Sequence, residues 1–339
     1  MNYRSIIAAL AAGSVLAGCS SPGGTSSISA YFSGSVSPYT QARIHDASSP
    51  GPNLYVANSR RNTVTVYDVS SGTLIRTIKN GINFPRVVAV DSAHNLYVDN
   101  FRKAGVRVYA SGSSSPKRNI QDGVHTPEAM VLDSLGNVYV ANSTINTVTV
   151  YAKNKTKLLR TISQGLDYPS GLAVDSRNDV YVANWNSRTV TVYSPGGRKL
   201  LRTLTGAFTG SQPAIAIDRS DNVYVSASYS DGVIVFAAHS DKVLRTIPAE
   251  GSALAFDSAG NLYVGGNVVS VIAPGSSSIG YMITQGIFSV SALAFDASDN
   301  LYVANSDGNN LTVYAPGSNE VMETISDGVD VPLSLVFGP

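Results

Sequence analysis

Residues Asn53–Asn58 read NLYVAN, and the same six letters return at Asn300–Asn305. Close variants fill the interval: NLYVDN at 95, NVYVAN at 137, DVYVAN at 179, NVYVSA at 222 and NLYVGG at 261. The steps between copies are 42, 42, 42, 43, 39 and 39 residues. A repeat near forty residues is the size of a four-stranded propeller blade. Such a unit cannot bury both of its faces alone and must stack against copies of itself.

Working outward from the hexapeptide, each repeat carries four short runs. An apolar run ending in Asp precedes it, as in VVAVD (87–91), GLAVD (171–175) and ALAFD (292–296). A second β-rich run follows it, TVTVY at 63–67, 147–151 and 189–193. A more polar run closes the unit, LIRTI (74–78), LLRTI (158–162) and VLRTI (243–247) among them. We name these strands A, B, C and D. Strand A is small and apolar, as the crowded strand nearest the axis must be. Strand D carries Arg76, Arg118, Arg160, Arg202 and Arg245 in register. The expectation is that these charges guard an outer edge against pairing with other chains.

The first hexapeptide has no strand A before it, since 46–52 read DASSPGP. The chain instead ends in PLSLVFGP (332–339), which aligns with PSGLAVD (169–175). The expected fold is therefore an all-β, seven-bladed propeller of four-stranded blades over 46–339. Its ring is closed by the C-terminal strand completing blade 1.

Composition narrows the function classes. Charged residues make up 14% of the 339, and the formal net charge is +1. Phosphate binding needs a concentrated basic surface, so nucleic acid is not an expected partner. Residues 1–18 read as a secretory signal: Arg4, then an apolar run from Ile6 to Leu16 too short to span a bilayer comfortably. Leu16-Ala17-Gly18-Cys19 resembles the bacterial lipobox. The resemblance implies cleavage before Cys19, lipid on its sulfur and amino group, and a site at the cell envelope. With Ser20 next, it implies the outer membrane. Residues 19–45 then form the lipidated cysteine and a polar tether. Cys19 is the only cysteine, so no internal disulfide can form.

Repeats built on N-(L/V)-Y-V-A-N after an Asp resemble the NHL and YVTN-type β-propeller repeats of bacterial surface proteins. The resemblance covers 53–339 and speaks for fold rather than activity. Asp91, Asp133, Asp175, Asp218, Asp257 and Asp296 each stand four residues before strand B, a spacing that suits an Asx turn.

In a propeller the B–C loops and D–A connections share one face. A polar ring at the channel mouth is expected there. Asn58, Asn100, Asn142, Asn184 and Asn305 come from the B–C side, and Asn83, Asp167 and Asp330 from the D–A side. The unrepeated loop residues Arg60, Arg61, Phe101, Arg102, Trp185, Arg188 and Tyr229 are the expected ligand-binding set, because aromatic and Arg side chains anchor interfaces. The resulting expectation is a non-catalytic scaffold, without cofactor, for an envelope protein, peptide or glycan. The alternative comes from resemblance to propeller lyases and lactonases, streptogramin-lyase-like or gluconolactonase-like. It implies a divalent metal (Ca, Mg or Zn) at the channel mouth, with His125 as base and Glu128 beside it.

Overall fold

The computed structural model describes residues 53–206 and 208–339. The signal, Cys19 and the tether lie outside these residues. The described residues form seven four-stranded antiparallel sheets. Blade 4 shows the pattern: strand A Pro169–Val174, B Val180–Asn184, C Thr189–Tyr193 and D Leu200–Leu204, hydrogen-bonded in that order. Valines and tyrosines of B and C are buried on both faces, as a sheet sandwiched between two others requires. The A strands of consecutive blades touch one another around the whole ring.

Blade 1 is closed as the sequence implies. Its strand A is Pro332–Gly338, antiparallel to Asn53–Asn58, with Leu54 opposite Phe337 and Val56 opposite Leu335. Ser59 N–H donates to the Val331 carbonyl at 3.2 Å, extending the seal into the loop.

Two tyrosine rows account for much of the abundance of that residue. Strand-C tyrosines reach the preceding D–A connection: Tyr109 donates to the Asn80 carbonyl at 2.7 Å, and Tyr193 to that of Gln164 at 2.5 Å. Strand-B tyrosines reach the opposite end and donate to the A–B turn aspartates, Tyr139 to Asp133 at 3.0 Å and Tyr181 to Asp175 at 3.1 Å. Burial pushes these phenols up, Tyr97 and Tyr109 to about 12. The aspartates are Asx turns. Asp133 Oδ1, for instance, accepts the N–H groups of Leu135 and Asn137 at 3.0 and 2.8 Å.

The arginine row of strand D needs correction. Arg76, Arg118, Arg160, Arg202 and Arg245 do not stand out from the rim. They are half-buried between blades, with their Nε atoms wholly covered. Arg202 and Arg245 donate to the hydroxyls of Tyr181 and Tyr224 at 2.8 and 2.9 Å. Strand alternation puts the arginines on the face toward the neighbouring blade. The solvent-facing neighbours are Ile75, Lys117, Leu159, Leu201 and Leu244.

Candidate functional site on the loop face

The B–C loops and D–A connections are pinned together by one device repeated in five blades. The Asn that ends strand B is fully buried. Its Oδ1 accepts a backbone N–H from the connection: Asp330 to Asn58 at 3.1 Å, Asn83 to Asn100 at 2.5 Å, His125 to Asn142 at 2.8 Å, Asp167 to Asn184 at 3.1 Å and Phe288 to Asn305 at 2.9 Å. In four blades the amide donates to a strand-C threonine, Thr65, Thr149, Thr191 or Thr312, at 2.9–3.1 Å. The asparagine half of the expected channel-mouth ring is thus spent inside the protein. Asn83, Asp167 and Asp330 remain partly exposed.

A second peg was not read from the sequence. The residue after this N–H is left-handed in each connection: Phe84, Thr126, Tyr168, Ser289 and Val331, with φ from 40 to 58°. In three cases its own N–H is captured by a left-handed Asn at the end of the preceding B–C loop. Asn62 holds Phe84 at 2.7 Å, Asn146 holds Tyr168 at 2.7 Å and Asn309 holds Val331 at 2.8 Å. Its carbonyl accepts from the first B–C loop residue. Phe101 donates to Phe84, Ser143 to Thr126, Trp185 to Tyr168, Ser306 to Ser289 and Ser59 to Val331, at 3.0–3.4 Å.

This geometry sets two side chains beside each other on the loop face of each of these five blades. Three of the five pairs contain a small polar residue from the B–C loop: Thr126 with Ser143, Ser289 with Ser306, and Val331 with Ser59. Blades 2 and 4 carry aromatic pairs instead. Phe84 and Phe101 lie 5.9 Å apart, centroid to centroid, and Tyr168 and Trp185 meet edge-on at 5.2 Å. Guanidinium groups extend the first pair, Arg102 over Phe84 at 4.5 Å and Arg86 over Phe101 at 4.7 Å.

The expected ligand-binding residues divide accordingly. Arg60 and Arg61 are exposed and both lie against Asp330, at 3.6 and 3.4 Å. Through Asn62 and Phe84 they adjoin Phe101 and Arg102, so blades 1 and 2 present one patch. Trp185 joins Tyr168, and Arg188 takes the left-handed position that Asn62 and Asn146 hold in other blades. Tyr229 is 76% exposed, and no contact among the described residues ties it to either patch.

Blade 2 departs from the repeat in its interior as well. Asp99 stands where blades 1, 3, 4 and 7 have Ala, and it is completely buried. Its Oδ1 accepts the N–H groups of Arg86 and Val87 at 2.6 and 2.7 Å, while Oδ2 has no partner. Burial pushes its carboxyl up to about 7, against those two donors. Arg86 forms an ion pair with Glu128 of blade 3. Glu128 is the extra residue of a bulge at the start of strand A, between Pro127 and Ala129. Its carboxyl is raised by burial, opposed by Arg86. His125, expected as its catalytic partner, is exposed.

Comparison with known proteins adds a repeat family. Residues 166–193 match the NHL repeat. That span contains the Tyr168–Trp185 pair and strands A to C of blade 4. No curated protein sequence matches the chain. Solved structures match widely. The chain is similar to a WD40 β-propeller domain of Doa1, with 16% identity and a TM-score of 0.62 over 78% of this chain and 89% of that one. It is similar to virginiamycin B lyase from Staphylococcus aureus, with 12% identity and a TM-score of 0.62 over 74% and 87%. It is also similar to hydrazine synthase of Kuenenia stuttgartiensis, with 16% identity and a TM-score of 0.68 over 82% and 99%. At these identities the likeness concerns the fold.

Proposed function

We propose that the protein is a non-catalytic binding scaffold of the cell envelope, lipid-anchored through Cys19, whose loop face takes an envelope protein, peptide or glycan. The observation that carries this reading is the pair of aromatic couples, Phe84–Phe101 and Tyr168–Trp185. Packing does not require them, because the same backbone device closes with Thr126 and Ser143, or with two serines, in other blades. Half-exposed aromatics that the fold does not need are surface held ready for a partner. The guanidinium groups of Arg102 and Arg86 keep the blade 2 rings in fixed orientation.

The lyase or lactonase reading ranks below this one. It needs His125 and Glu128 to act together, whereas the Glu128 carboxylate is engaged by Arg86.

The test is a screen of immobilised glycans and peptides with the full-length protein and with the variant Trp185→Ala/Arg188→Ala. The expected result is a ligand lost in the variant with the melting temperature unchanged. Full retention of binding would move the site off blade 4. The anchor is tested separately: Cys19→Ser should abolish palmitate labelling and release the protein from membranes.

A further inference from the structure

The turns opposite the loop face follow a strict rule that one blade breaks. In blades 2, 3, 5, 6 and 7 the residue four after the turn Asp is Asn, and its amide donates to that Asp at 2.7–2.9 Å. In blade 4 the position is Asp179. Two carboxylates, Asp175 and Asp179, therefore share one turn. Asp175 is satisfied by the N–H groups of Arg177 and Asp179 and by the Tyr181 hydroxyl. Asp179 is 7% exposed as a residue, and no hydrogen bond reaches its carboxylate among the described residues. Leaving a buried carboxylate without a donor is expensive.

The next blade supplies an imidazole to the same place. His239, in the C–D turn of blade 5, sets Nδ1 3.3 Å from Asp175 Oδ2, and that nitrogen makes no hydrogen bond. Its other nitrogen, Nε2, lies 3.4 Å from Asp221 Oδ2. One oxygen from each of Asp175 and Asp179 and one nitrogen of His239 lie within 4.8 Å of one another. An ion with ligands at ~2.0–2.2 Å holds them no more than about 4.4 Å apart, so the three side chains need only draw slightly together to share one. Arg202, the nearby cation on strand D, is turned to the Tyr181 hydroxyl instead.

We propose that Asp175, Asp179 and His239 bind one divalent transition-metal ion at the seam between blades 4 and 5, on the face away from the aromatic pairs. The mixed nitrogen and oxygen donor set suits zinc or manganese, since calcium and magnesium favour oxygen alone. Asp221 is the outer carboxylate that orients the imidazole through its far nitrogen, a recurring arrangement around metal-bound histidine. The ion supplies a partner to the Asp179 carboxylate and adds a staple to two blades that already meet through apolar contacts and the Ser176–Asp221 hydrogen bond.

The repeat itself provides the controls. Asp179→Asn restores the residue found in five other blades. Asp221→Asn keeps an acceptor for Ser176, as Asn178 does for Ser134 in the preceding blade. The full-length protein, stripped with EDTA and dialysed, is titrated calorimetrically with ZnCl₂ and with MnCl₂, and its melt is recorded with and without each ion. The proposal expects one ion per chain and a raised melting temperature. It expects binding lost in Asp179→Asn and weakened ~10–100-fold in Asp221→Asn. Equal binding by Asp179→Asn and the parent, or no binding by the parent, overturns it. A metal-indifferent melt that rises between pH 7 and 5 and flattens in Asp179→Asn would also overturn it, by assigning the seam to an imidazolium.

Discussion

Replacing Asp99 by Ala tests the buried carboxyl at the seam of blades 2 and 3. In the unfolded chain this carboxyl loses its proton near pH ~3.9, whereas in the folded protein it holds it to about 7. Between these values the unfolded state binds fewer protons, so stability falls as pH rises and levels off above about 7. At ~1.36 kcal/mol per pH unit, the ceiling on this loss is roughly 4 kcal/mol. The substitution also removes an acceptor from the Arg86 and Val87 amides, costing ~1–3 kcal/mol if they stay unpaired, at every pH. The two stability curves should therefore cross. Asp99→Ala should be the weaker protein at pH 4.5, and should draw level with the parent or pass it by pH 8. Urea unfolding followed by Trp185 fluorescence at four pH values gives the curves. Parallel curves would show that Asp99 ionises normally, and would refute the assignment of a neutral buried carboxyl.

Three further outcomes are expected. Deleting residues 332–339 removes strand A of blade 1, with the burial of Leu333 and Leu335 alone amounting to ~3–6 kcal/mol, and a melt at the parent temperature would contradict closure by this strand. Asn184→Ala orphans the Asp167 N–H and the Thr191 contact, and should cost about 2–4 kcal/mol in denaturant unfolding; a loss under 0.5 kcal/mol would reduce the peg to decoration. Tyr224→Phe leaves Asp218 Oδ2 and Arg245 without their shared hydroxyl and should cost ~1–2 kcal/mol by the same measurement, where no change would make the network incidental.

The repeat made the blade order, the register and the closing strand legible, because each depends on a pattern written several times over. The Asx turns were legible for the same reason. The arginine row was misplaced because strand alternation fixes which residues share a face, but not which face meets a neighbouring blade. Arg76 and Ile75 could have exchanged roles with no change in composition. At the loop face, Phe101 and Trp185 stood out as departures, yet their partners Phe84 and Tyr168 did not. The pairing depends on a left-handed backbone position and a hydrogen bond between loops some 17 residues apart. Asp99 and Asp179 were visible as single-letter exceptions within their repeats, whereas Arg86 stands at a position that varies from blade to blade. Their meaning lay in what the adjoining blade offered, Glu128 to one and His239 to another, which spacing along the chain does not encode.

Tyr55 donates to a carbonyl 284 positions away, and every hydrogen bond between Asn53–Asn58 and its inner neighbour is comparably remote. Six of the seven sheets are assembled from consecutive segments and can form as the chain emerges. The remaining one waits for the last strand, and until then the inner edge of Asn53–Asn58 is an open template for any extended segment. Early partners for that edge include the unpaired final strand of a second molecule. An exchange of that kind would link two rings through the same hydrogen bonds that close one, and a higher chain concentration during folding would favour it.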